Sequence, residues 1–315
     1  MRELVESETG GDPVTGRKWV RRSLRQLSRQ LDAKVSHTTV GRLLRDMDYS
    51  LKVNVKRLTG DPHPDRESQF ECIDHLKRTF LSDGDPVISV DTKKKELIGN
   101  FKNPGRRWCV TADAVNEHDF DQDALGKAVP YGIYDLNHNQ GYVYVGQSAD
   151  TPEFAVDAIA SWWCRQGRQT FPDARRLLIL CDAGGSNSYR SRMWKLQLQE
   201  QLADSLNLEV TVCHYPTGAS KWNPIEHRLF GPISINWAGQ PLRTFETLLA
   251  LIRGTATQTG LTVEAFLADK VYETGKKVSD AVMATLNIER ASTCPNWNYT
   301  IRPRPAPSPC AEAGL

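Results

Sequence analysis

No apolar run in the sequence approaches the roughly 20 residues that a membrane-spanning helix needs. The opening stretch, Met1-Arg2-Glu3-Leu4-Val5-Glu6, lacks the apolar centre of a signal peptide. A soluble, intracellular protein is expected. None of the seven cysteines, which run from Cys72 to Cys310, belongs to a Cys-x-x-Cys pair, and their number is odd. That argues against a zinc site and against a disulfide framework. Cys181 and Cys213 lie in apolar runs, where a thiol acts as a small hydrophobe. Gly184-Gly185 lacks the Gly-Lys-Ser/Thr ending of a phosphate-binding loop, and no internal repeat is visible. What is present is ordinary: 315 residues, 39% hydrophobic and 25% charged, enough for one large domain or two modest ones.

Charge is nearly balanced overall, at +2, but not along the chain. Between Arg17 and Arg57 twelve Lys and Arg face three acids, a local net of +9. A basic block suggests a polyanion, most simply nucleic acid, although a solvated helical face would look the same. After a polar lead-in over 1–16, apolar residues from Trp19 onward fall at Val20, Leu24, Leu27 and Leu31, the spacing of an amphipathic helix. Ser36 can cap a second helix that buries Val40, Leu43, Leu44 and Met47. Two short helices around a tight turn resemble a helix-turn-helix, whose second helix meets DNA with its first residues. Ser36, His37, Thr38, Thr39, Arg42 and Arg45 are therefore the expected DNA-binding residues of a domain over 17–60, with Leu51, Val53 and Val55 as a strand or wing. The alternative is a small helical cap.

Asp61-Pro62-His63-Pro64-Asp65 opens a linker-and-helix region over 61–84, whose helix aligns Phe70, Ile73, Leu76 and Phe80. Beyond it, Val87–Asp91 is an apolar run ending in an acid, and 92–130 reads as irregular. Tyr131–Leu136 and Tyr142–Val145 flank a turn and form a hairpin. Thr151-Pro152-Glu153 starts a helix, with a cap, a first-turn proline and an acid at the positive end of the dipole. Leu177–Asp182 and Leu208–His214 are strands, separated by a helix with Trp194, Leu198 and Leu202 on one face. Trp162, Trp163 and Trp194 read as core. The order β, β, β, α, β, α, β, α implies an α/β fold, a mixed sheet flanked by helices, and matches the ribonuclease-H-like fold. That domain is expected over 85–275, followed by a C-terminal extension over 276–303 and a proline-dense, disordered tail over 304–315.

Three acids stand where such a fold would bring carboxylates together: Asp91 and Asp182 at strand ends, and Glu226 in the first turn of a helix after Asn223-Pro224. Phosphoryl transfer needs an attacking oxygen and a stabilised leaving oxygen, and two divalent cations about 3.5–4 Å apart can serve both. Magnesium prefers oxygen ligands, so carboxylates converging from separate elements suit it. Each acid also has a plainer reading. Asp91 could be a turn residue paired with Lys93, Lys94 or Lys95, and Asp182 could start a turn. Glu226, three positions after Asn223, could be the acid of a capping box. Lys221 and Arg228 are expected to contact phosphate; Lys93–Lys95 either line the DNA path or balance local acids. His214 reads as a structural histidine.

A family resemblance covers most of the chain, to about Pro303. Val87-Ile88-Ser89-Val90-Asp91-Thr92-Lys93-Lys94-Lys95-Glu96, Gly99-Asn100-Phe101-Lys102-Asn103, Asp182-Ala183-Gly184-Gly185-Ser186-Asn187, Ser220–Phe230 and Trp297-Asn298-Tyr299-Thr300 are similar to the Rhodopirellula-type DDE transposases of bacterial insertion sequences. The Asn223-Pro224-Ile225-Glu226 turn also resembles the wider mariner-like transposases. The resemblance implies that Asp91, Asp182 and Glu226 are the catalytic, metal-binding triad, with Mg2+ or Mn2+, in two ions, as cofactor. It implies phosphodiester cleavage followed by strand transfer, DNA ends and target as partners, a homo-oligomer on DNA, and a place in the bacterial cytoplasm at the nucleoid. A ribonuclease-H-like nuclease without strand transfer and an inactive DNA-binding relic are the alternatives. Chains of this family usually begin further upstream with another DNA-binding segment, so an N-terminally truncated copy is expected.

Overall fold

The computed structural model describes residues 9–11, 18–20, 23–31, 35–51, 63–219 and 222–305. The chain divides into two compact units, Met1–Gly60 and Asp61–Leu315.

In the first unit, β1 (Thr9–Gly11) pairs antiparallel with β2 (Lys18–Val20). Residues 9–11 thus form a short ribbon where the sequence suggested a frayed lead-in. Helix α1 (Leu24–Gln30) starts later than the periodicity from Trp19 implied. Ser23 fixes the start through a capping box, accepting from the Gln26 amide while the Gln26 side chain accepts from the Ser23 amide. Helix α2 (His37–Arg45) begins at Ser36, whose hydroxyl accepts from the Thr39 amide at 3.2 Å. Leu27, Val40 and Leu44 form the core, with Leu24, Leu31, Val35 and Met47 packed against it. Val53 and Val55 of the expected wing lie outside the described residues.

The second unit opens with α3 (Arg66–Asp83), which stops at Gly84 in the left-handed region, φ +77°. A nine-stranded mixed sheet follows. Its members are β3 (Val87–Thr92), β4 (Glu96–Ile98), β5 (Gly126–Asp135), β6 (Gln140–Gly146), β7 (Arg176–Cys181), β8 (Glu209–His214), β9 (Thr262–Ala268), β10 (Ile288–Arg290) and β11 (Asn298–Ile301). The order is β10-β11-β8-β7-β3-β5-β6-β9, with β4 added to β5. β3, β7 and β8 run parallel, while β5 and β6 form the antiparallel hairpin the sequence suggested. This is the mixed sheet flanked by helices that the element order implied. The helices are α4 (Pro152–Trp162), α5 (Arg192–Gln197), α6 (Gly231–Asn236, entered through a wider turn over Glu226–Phe230), α7 (Phe245–Arg253) and α8 (Asp280–Ala284).

Strand side chains alternate between faces, and two layers of core result. On one face Ile88, Val90, Tyr131, Ile133, Leu177 and Ile179 pack under α4 and α5, with Trp162, Trp163 and Trp194 buried among them. On the other, Val87, Leu178 and Leu180 meet Ile73 and Phe80 of α3. Further along that face Tyr134, Val143 and Val145 meet Ile225, Leu229 and Phe230 at the start of α6. Each fully buried side chain of this size contributes on the order of 1.5–3 kcal/mol.

Three features depart from the sequence reading. The stretch read as irregular over 92–130 contains β4, and β5 begins at Gly126. β9, unrecognised in the sequence, adds parallel to β6. The C-terminal extension is part of the sheet, since β11 lies between β10 and β8. A three-residue strand has too little pattern to read, and β11 is recognisable as a strand only with its partners β8 and β10 beside it.

Candidate active site

The register places the first two acids. β3 and β7 run parallel with Val90 opposite Cys181, so the next residues, Asp91 and Asp182, leave neighbouring strands at the same level. Parity adds the face. Asp91 follows Val87 and Ser89, and Asp182 follows Leu178 and Leu180, on the side that α6 covers. Asp91 is buried, with its Oδ1 accepting from the Thr92 amide at 2.7 Å. Asp182 Oδ1 accepts from the Gly184 amide at 3.3 Å. Gly185, at φ +60°, supplies the left-handed turn that carries the loop onward to buried Ser186 and Asn187.

The third acid arrives by a different route. Asn223 is fully buried, and its side chain reaches β3 rather than its own helix. Its Oδ1 accepts from the Ser89 hydroxyl and its Nδ2 donates to the Val90 carbonyl at 3.3 Å. Ser89 Oγ in turn accepts from the Ile225 amide at 3.1 Å. The start of α6 is thereby stitched to the residues just before Asp91. The capping-box reading of Glu226 does not hold: the Asn223 side chain is committed to β3, and the turn beginning at Glu226 has no side-chain cap. Two glycines let α6 lie this close. A Cβ on Gly132, which pairs with Asp91 across β5, would come within 2.5 Å of the Phe230 ring, and one on Gly141 would collide with Leu229.

The acids feel one another. Burial, reinforced by Asp182, Glu226 and Asp150, pushes the Asp91 carboxyl up to about 8. Burial, with Glu226 and Asp150, pushes Asp182 up to about 6 against the pull of its Gly184 hydrogen bond. None of Asp91, Asp182, Glu226 and Asp150 has an ion-pair partner among the described residues. No three acid, thiol or imidazole groups among the described residues are drawn together closely enough to grip a metal ion by themselves. The donor chemistry nevertheless fits a hard divalent cation. It consists of carboxylate oxygens only, one buried and the others half-buried, with no cation paired to them among the described residues.

Asp150 escaped the sequence reading. It stands just before the cap of α4 and accepts from the Thr92 hydroxyl at 3.1 Å, while Thr92 Oγ1 also meets Ser186 Oγ at 3.3 Å. Its position next to Thr151-Pro152 was the only available signal. His214 is structural, as expected. Its Nδ1 donates to the Asp182 carbonyl at 2.9 Å and its Nε2 accepts from the Tyr299 hydroxyl at 3.2 Å. Burial drives its pKa down to about 4, so it stays neutral.

Of the expected DNA contacts, Ser36, His37, Thr38, Arg42 and Arg45 are exposed on the first unit, and Thr39 is half-buried. The hydroxyls of Ser36 and Thr38 meet at 2.6 Å and those of Ser36 and Thr39 at 3.0 Å, so all three take part in the cap of α2. Arg228 is exposed two positions beyond Glu226, and Lys221 lies outside the described residues.

Comparison with known proteins adds a family. The model of the Rhodopirellula transposase DDE domain matches residues 1–303. No curated protein matches. Among solved structures, a chain of the Mos1 transposase paired-end complex with the left transposon end is 20% identical over 72% of this chain and 64% of that one, with a TM-score of 0.44. The Mos1 strand transfer complex is 19% identical over 72% and 63%, with a TM-score of 0.43. The Mos1 mariner paired end complex with Mn is 18% identical over 72% and 64%, with a TM-score of 0.42. The chain thus spans less than two thirds of the length of the Mos1 chains it matches. No helix among the described residues is long and apolar enough to cross a membrane.

Proposed function

The chain belongs to the Rhodopirellula transposase DDE-domain family, and on that premise we propose that it cuts DNA phosphodiester bonds with a divalent metal and joins a DNA 3′-hydroxyl to a new strand. One observation carries the assignment: two acids leave adjacent parallel strands at one level, and a third comes from a helix stitched to the first of those strands.

Asp91, Asp182 and Glu226 are the groups that would hold magnesium or manganese, two ions in the reading favoured here. When bound, such ions lower the pKa of the attacking oxygen and stabilise the leaving one. The chain's own part is placement. Strand register sets Asp91 and Asp182, the Asn223 stitch sets Glu226, and His214 holds the backbone on which Asp182 stands. Asp91 and Asp182 must lose their protons before a cation can bind, so metal affinity rises as pH passes from about 6 to about 8. The exposed start of α2, with Ser36, His37, Thr38, Thr39, Arg42 and Arg45, is the proposed docking element for duplex DNA; Lys221 and Arg228 are proposed phosphate contacts. Pairing two element ends calls for more than one copy, so the working form is a homo-oligomer on DNA.

The test uses the full chain, Mg2+ or Mn2+, and duplexes from the ends of the element that encodes it. Wild type is expected to cut the strand and yield a joined product, and Asp91→Asn, Asp182→Asn and Glu226→Gln each to abolish both while DNA affinity persists. Hydrolysis without joined product would reject strand transfer and leave a nuclease. Binding without any metal-dependent cleavage would mark an inactive chain.

A further inference from the structure

Lys93 sits one residue beyond β3, with its amide donating to the Pro130 carbonyl at 2.9 Å, so its backbone is fixed to β5. Its side chain is only 10% exposed. The ammonium lies 4.5 Å from the centroid of the Trp237 ring and donates to Glu96 Oε1 at 3.4 Å. An ammonium has three donors, and this long contact is its one hydrogen bond among the described residues. Beside it opens a cavity of about 300 Å³ lined by Thr92, Lys93, Lys94, Glu226, Phe230 and Ser234.

The Glu96 pair and the Trp237 face explain why Lys93 tolerates burial. They do not explain why Lys93 lines a cavity, or why Glu226 forms another wall of it. A buried ammonium with unused donors calls for an anion with several acceptor oxygens, and lysine meets a phosphate as a point charge. We propose that Lys93 binds, in this cavity, a backbone phosphate of the DNA adjacent to the phosphodiester that is cut. The assignment rests on the DNA-cutting reading of Asp91, Asp182 and Glu226. A phosphate contact fixes register without reading sequence. Lys93 would therefore be a positioning residue: it sets which phosphodiester arrives at the acids.

The test replaces single phosphates near the cleavage point by neutral methylphosphonates, one position at a time, in a duplex from the end of the encoding element. Wild type, Lys93→Met, Lys93→Arg and Glu96→Gln are compared as full chains for duplex affinity without metal and for single-turnover cleavage with Mg2+. One position other than the cut phosphate is expected to cost wild type about tenfold, equivalent to about 1.4 kcal/mol. Lys93→Met is expected to show that loss already on unmodified DNA and to be indifferent to the substitution there. Lys93→Arg and Glu96→Gln are expected to keep the sensitivity. If the losses from Lys93→Met and from the methylphosphonate multiply at every position, or if Glu96→Gln loses as much as Lys93→Met, the proposal falls and Lys93 serves only its ion pair. Coupling seen in affinity by a chain that cuts nothing with Mg2+ or Mn2+ would sink the cutting reading and leave the phosphate site standing. Cutting without coupling would do the reverse, and a chain that binds no DNA would sink both.

Discussion

Asp91 and Asp182 are placed by backbone, whereas Glu226 is placed by side chains. The two strand-borne acids inherit their positions from the hydrogen-bonded ladder of β3 and β7, which many residues share. The helix-borne acid depends on one amide, Asn223, one hydroxyl, Ser89, and two glycines that leave room for α6. A site assembled this way is unequally robust: its strand half should tolerate changes in side chains around it, and its helix half should not.

The sharpest way to break that contrast is at Gly132. Gly132→Val would drive a side chain into Phe230 and Ile225. Overpacking of this kind costs about 1–3 kcal/mol. We expect α6 to be displaced, cleavage to fall below detection, and denaturant unfolding to show the loss of stability. Normal cleavage by a folded Gly132→Val chain would show that Glu226 does not need α6 in this place.

Asn223→Ala comes next. It leaves the Ser89 hydroxyl and the Val90 carbonyl without their buried partner, which costs about 1–3 kcal/mol. The larger effect is on geometry: a catalytic group displaced by about 1 Å can cost about a hundredfold in rate. Cleavage is therefore expected to drop far more than thermal stability. Combining Asn223→Ala with Ser89→Ala should add little, because the pair acts as a unit; independent, multiplying losses would refute the stitch.

The smallest effect sharpens the strand half. Burial and neighbouring acids hold Asp91 near 8 and Asp182 near 6, both above the ordinary carboxylate value of 3.8. Between pH 4 and these values the folded chain keeps protons that the unfolded chain has released, so stability without metal falls as pH rises. The melting temperature of the metal-free chain should drop from pH 5 to pH 8. Mg2+ should restore it at pH 8, and Asp91→Asn should flatten the metal-free slope. A slope of the opposite sign would mean that Asp91 is not the uncompensated group described above.

Much of the strand half was legible. The apolar runs ending at Asp91 and Asp182, the hairpin between β5 and β6, and the element order all follow local patterns that single sequences carry. The helix half was legible only as a helix start. Asn223-Pro224 suggests a cap, and the true partner of Asn223, Ser89, is more than 130 residues away in sequence. The same distance problem hid Asp150, which reaches Thr92 only after β6 has folded back beside β5. β9 did carry a weak signal, since Thr262, Val263, Glu264 and Ala265 alternate exposed and buried. Glu and Ala favour strands poorly, and the pattern shows its meaning only against β6.

The place of β11 in the sheet has a consequence for how the chain matures. Residues 298–301 pair with β8, the Trp297 carbonyl accepts from the His214 amide, and the Tyr299 hydroxyl donates to the His214 ring that braces Asp182. The sheet behind Asp182 is therefore finished by residues far downstream of that acid in sequence. Pairings this distant in sequence form late, because the loop between them must close first. A nascent chain stalled before residue 298 would already carry Asp91, Asp182 and Glu226 but not the brace that steadies one of them. Synthesis itself thus delays the bracing of Asp182 until well after all three acids have been made.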